Sequence, residues 1–128
     1  MGEQRQLTEA EYRRIPNGGV LKTLPTGLSI LRRTKHEWTI DLEGLNRKDL
    51  ATVTNPRRGS KFLNSWTLTQ YVRYIERRAA QLDWTRETAR ALHTFTESNP
   101  VGYSRGRLVS KIRIELSGGF LHAYPVEA

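Results

Sequence analysis

Between residues 66 and 82, apolar side chains recur three or four positions apart, at Leu68, Val72, Ile75, Ala79 and Leu82. That spacing puts one apolar stripe on a helix, and Ser65 stands where an N-cap belongs. Asp83-Trp84-Thr85 breaks the pattern, and Ala89, Leu92 and Thr96, widened by Phe95, predict a second helix from Arg86 to about Glu97. The break is too short for a crossover, so the two helices are expected to pack on each other or on one sheet.

The flanks read differently. Thr8-Glu9-Ala10-Glu11 is a capping-box pattern that opens a short helix to about Arg14. Val20 to Leu24 and Leu28 to Arg33 are β-type runs around the turn Pro25-Thr26-Gly27. Glu37 to Asp41 alternates polar and apolar as a third strand, with Trp38 turned to the core. Asn46 caps a short helix to Val53, and Asn55 to Lys61 is a loop. Tyr103 to Arg107 is a second loop.

The clearest period of two comes last. Leu108, Ser110, Ile112, Ile114 and Leu116 share one face of a strand, Ser117-Gly118-Gly119-Phe120 turns, and Leu121 to Val126 returns. With the two glycines at the turn centre, Glu115 faces His122, Ile114 faces Ala123 and Arg113 faces Tyr124. The sum is α+β: a single domain spanning residues 1–128, with an antiparallel sheet that includes the C-terminal hairpin and two central helices packed on one face.

Composition narrows the chemistry. The chain has 128 residues and no cysteine, which excludes disulfides, thiolate metal sites and cysteine nucleophiles and suits a reducing, cytoplasmic setting. No apolar run approaches the roughly 20 residues of a membrane span. The net charge is +8, and sixteen of the twenty-one basic residues are arginine, whose planar fork grips phosphate and stacks on bases. Between Arg47 and Arg78, eight basic residues stand against only Asp49 and Glu76.

This balance predicts a polyanion partner, RNA ahead of DNA, with an acidic protein as the alternative. The candidate phosphate-binding residues are Arg57, Arg58 and Lys61 in one loop, Arg73 and Arg77 on the long helix, and Tyr103, Arg105 and Arg107 in the second loop. Arg32-Arg33-Thr34-Lys35-His36 can extend the same surface. No two histidines have metal-ligand spacing, so no metal or other cofactor is expected.

One constellation goes beyond binding. Arg113, Glu115, His122 and Tyr124 share the polar face of the hairpin. A carboxylate can take the proton of an RNA 2′-hydroxyl, an imidazolium can protonate the leaving oxygen, and an arginine can hold the phosphate. Glu115, His122 and Arg113 are therefore the candidate catalytic set of a metal-independent ribonuclease, such as a toxin domain. In arrangement alone this resembles the sheet sites of small microbial ribonucleases of the barnase kind; no sequence motif matches. Opposite charges across a hairpin are also common in their own right, contributing about 0.2–1 kcal/mol. Three readings follow, in order: a basic RNA-binding protein, the ribonuclease, and a non-catalytic inhibitor or adaptor that docks on an acidic protein.

Overall fold

The computed structural model describes residues 6–39 and 44–127. Among these residues three helices are formed, α1 (Glu9–Arg13), α2 (Arg47–Val53) and α3 (Leu68–Ala79). Eight strands accompany them: β1 (Val20–Thr23), β2 (Ser29–Leu31), β3 (Lys61–Phe62), β4 (Ala91–Thr96), β5 (Gly102–Ser104), β6 (Arg107–Val109), β7 (Lys111–Ser117) and β8 (Phe120–Val126). Five strands make the main sheet in the order β1-β2-β8-β7-β4, and a second sheet runs β3-β5-β6. Only β2 with β8 is parallel, so the α+β main sheet is mixed.

The terminal hairpin pairs as its alternation requires: Ser117 with Phe120, Leu116 with Leu121, Glu115 with His122 and Arg113 with Tyr124. Ile112, Ile114, Leu116, Leu121 and Ala123 are fully buried on the inner face. α3 turns Leu68, Tyr71, Val72, Ile75 and Ala79 into the same core. Each fully buried Ile or Leu contributes about 1.5–3 kcal/mol, so this face dominates the stability of the fold. The Tyr71 hydroxyl accepts from the Ala123 amide at 3.0 Å and ties helix to sheet.

Several expectations are corrected. The segment Arg86–Glu97 is not a helix. Ala91–Thr96 is the edge strand β4, paired with β7 along its whole length. The core contacts do not follow the helical stripe: Ala91 and Phe95, on one face of the strand, pack against the core, while Leu92 is exposed. The long helix begins later than predicted. Thr67, not Ser65, is its N-cap in a reciprocal box with Gln70, and the Glu9 carboxylate accepts from the Leu68 and Thr69 amides at 3.0 and 2.8 Å. A carboxylate there satisfies free amides and favours the helix dipole.

Glu37 to Thr39 form no strand; a single 3₁₀ turn, Thr34–His36, precedes them, while Ile40 and Asp41 lie outside the described residues. Trp38 is half-buried and outside the core cluster. The expected loop at Tyr103–Arg107 is the tip of the hairpin β5–β6. The chain breaks at Ser110 between β6 and β7, which reverses the alternation: Leu108 is exposed and Val109 buried.

Candidate RNA-cleaving cleft

Two neighbouring strands, one anchored turn, the 54–60 segment and the tip of the β5–β6 hairpin build a cleft of about 440 Å³. β7 and β8 supply Glu115, His122 and Tyr124 from the face opposite the aliphatic core. The turn Thr34–His36 supplies His36, with Arg33 and Lys35 beside it. That turn is held from both sides. The Arg32 guanidinium donates to both Glu37 carboxylate oxygens at 3.1 and 2.9 Å and to the Arg13 and Ile15 carbonyls. The Thr34 amide donates to the Asn17 side chain at 3.0 Å.

The three rings form a compact triangle. His36 stacks on Tyr124 with centroids 5.0 Å apart, Tyr124 on His122 at 5.6 Å, and the two imidazoles are 6.5 Å apart and within 16° of parallel. His36 Nδ1 is 2.7 Å from the Ser60 carbonyl oxygen. A carbonyl only accepts, so the neutral ring carries its proton on Nδ1 and leaves the Nε2 lone pair free. Burial lowers the His36 pKa to about 4, against the opposing pull of the Ser60 bond, and His122 and Lys61 add to the lowering. His36 is therefore neutral at physiological pH.

His122 Nε2 stands 3.8 Å from a Glu115 carboxylate oxygen. Burial lowers its pKa and the Arg33 charge adds to this, while Glu115 acts in the opposite direction. The Glu115 carboxylate also accepts from the Arg90 guanidinium at 3.0 Å and the Tyr124 hydroxyl at 3.2 Å. Burial, then Glu115, raises the Tyr124 pKa, so Tyr124 remains a phenol.

The cleft is positive. Arg33, Lys35 and Arg105 line it against the single carboxylate of Glu115. Arg105 is held in the left-handed region, with φ at 53°, the one such non-glycine among the described residues. Its amide donates to the Thr54 carbonyl at 2.8 Å, and the following Gly106 amide to the Thr54 hydroxyl at 2.7 Å. Buried Thr54 thereby fixes a strained turn at the cleft wall.

The sequence-predicted residues divide. Glu115, His122 and Arg105 meet in this cleft. Arg113 lies on the same sheet face, and its guanidinium donates to Thr94 at 3.2 Å and reaches the Tyr124 hydroxyl, outside the cleft lining. Lys61 is buried, and its ammonium donates to the carbonyls of Lys35, Arg58 and Gly59, so it holds a loop together. Arg58 lines a shallow depression with Trp38 and Val53, and Arg57 is exposed on the same loop. Arg73 and Arg77 line a separate groove with Trp66 and Asn99. Tyr103 packs edge-on against Trp38 at 6.2 Å, and Arg107 is exposed at the start of β6.

His36, Arg33 and Tyr124 were not in the predicted catalytic set. The basic run from Arg32 to His36 signalled a surface, but its approach to the hairpin depends on contacts far apart in the chain. Among the described residues, no three histidine, aspartate or glutamate side chains group to hold a metal ion, and no helix is long and apolar enough to cross a membrane. No protein-family model matches the chain, and neither curated proteins nor solved structures include a significant match to it.

Proposed function

We propose that the protein is an RNA-binding endoribonuclease that cleaves in the His36–His122 cleft by acid–base chemistry carried by its own side chains. The observation that carries this reading is the pair of imidazoles, 6.5 Å apart, lining one concave basic surface. His36 Nε2 takes the proton of the 2′-hydroxyl, whose oxygen attacks phosphorus. The bond from phosphorus to the 5′-oxygen breaks, and the His122 imidazolium protonates that oxygen. The products are a 2′,3′-cyclic phosphate and a 5′-hydroxyl end.

Glu115 stabilises the imidazolium of His122. Its carboxylate oxygens already accept from Arg90 and Tyr124, whereas the His36 Nε2 lone pair is free to take a proton. Arg33 and Arg105 hold the phosphate and offset the charge that grows on it. A cysteine-free chain suits the reducing cytoplasm, where RNA substrates are found.

The test is incubation of labelled RNA in EDTA with wild type, His122→Ala and Glu115→Ala. Cleavage by wild type, reduced at least 100-fold by His122→Ala and less by Glu115→Ala, supports the reading. RNA binding with no cleavage by any of the three returns the protein to the class of simple RNA binders.

A further inference from the structure

Beside the cleft, and sharing Arg33 and His36 with it, lies a second cavity of about 150 Å³. A cavity of that size accommodates a benzene-sized ring. Its walls include the rings of Trp38, Phe62 and Trp66, with Phe62 and Trp66 stacked at 4.7 Å. Asn64 also lines the cavity and is exposed.

We infer that this cavity is a nucleobase-binding pocket, which takes the base of the nucleotide whose phosphate sits between Arg33 and His36. The walls offer flat aromatic surface on which a planar ring can stack. Asn64 carries both a donor and an acceptor, the complement of a base edge. A nucleobase meets all of these requirements together, whereas an aliphatic ligand leaves the polar groups unmatched. The Glu37 carboxylate also faces the cavity, although both its oxygens are engaged by Arg32. The position of the base next to a scissile phosphate rests on the proposed cleavage; the binding itself does not.

The experiment reads binding without catalysis. The four nucleoside monophosphates and ribose 5-phosphate are titrated against the tryptophan fluorescence of the intact protein. At least one nucleotide is expected to bind roughly 5- to 150-fold more tightly than ribose 5-phosphate, the gain of one stacked base. Trp38→Phe reduces one aromatic wall, and Asn64→Ala removes the exposed side-chain amide at the cavity. Each is expected to weaken that nucleotide about five- to tenfold and leave ribose 5-phosphate unchanged. Equal binding of all five compounds, or nucleotide binding unaffected by both variants, overturns the pocket while leaving cleavage untouched. Absence of RNA cleavage alongside selective, variant-sensitive nucleotide binding removes the nuclease reading and retains the pocket.

Discussion

His36 Nδ1 lies 2.7 Å from the Ser60 carbonyl oxygen, and this one contact decides which nitrogen of the ring faces chemistry. It is made across 24 positions of sequence, between the anchored 3₁₀ turn and the residue before β3. The bond fixes the tautomer, and burial keeps the ring neutral. A general base needs both properties.

The pH dependence of cleavage follows from the two imidazoles. The base must be neutral, so activity rises as pH increases through the His36 value of about 4. The acid must be protonated, so activity falls as pH increases through the His122 value, which lies below 6.5. The expected profile of kcat/KM is a bell with its maximum between these limits. An optimum above pH 7 contradicts the assignment.

His36 also links folding to pH. Its pKa is about 4 when folded and 6.5 when exposed, so the unfolded chain binds the proton first. Its contribution is full above pH 6.5 and is lost as pH falls through about 4, a change of roughly 3 kcal/mol. Urea unfolding of wild type and His36→Gln at pH 7 and pH 4.5 checks this. The variant is expected to lose less stability between the two conditions.

Gly102 in β5 is packed between its sheet partner β3 and Pro125 of β8. A Cβ there would lie 2.2 Å from the Lys61 carbonyl oxygen and 2.6 Å from the Pro125 ring. The backbone has no room to yield between β3 and β8, so Gly102→Ala is expected to cost about 2–4 kcal/mol. Thermal unfolding measures it, and a loss under 1 kcal/mol contradicts the packing described.

RNA affinity is expected to depend on salt through the cleft arginines. Arg33→Ala and Arg105→Ala each remove one phosphate contact and lower the slope of log K against log salt by roughly 0.7–1. Arg73→Ala and Arg77→Ala, in the separate groove, are expected to change it little. Filter binding across a salt series distinguishes the two surfaces.

The hairpin was legible because alternation and a Gly-Gly turn fix a register between neighbours in sequence, and that register brings Glu115 to His122. β4 was not, because Ala89, Leu92, Phe95 and Thr96 fit a helical stripe better than an edge strand, in which Leu92 and Phe95 fall on opposite faces. Pairing with β7 decided between them, and pairing is a tertiary fact. His36 and the Trp38 cavity were hidden for the same reason. Their surroundings come from Ser60, Phe62, Trp66 and Tyr124, and no local pattern announces that meeting. Lys61 was misleading in the opposite sense: in sequence it is one more cation in a basic loop, but its charge is spent on three carbonyls.

The central claim is the reaction itself, and its product ends report on it most directly. An RNA with a single 2′-deoxy substitution is incubated with wild-type protein in EDTA, and the ends of the fragments are identified by mass. The account predicts 2′,3′-cyclic phosphate and 5′-hydroxyl ends at every cut, none at the deoxy position, and loss of all cuts in the His36→Ala and His122→Ala variants. Cleavage at the deoxy position, 5′-phosphate ends, or equal cleavage by the variants would contradict it.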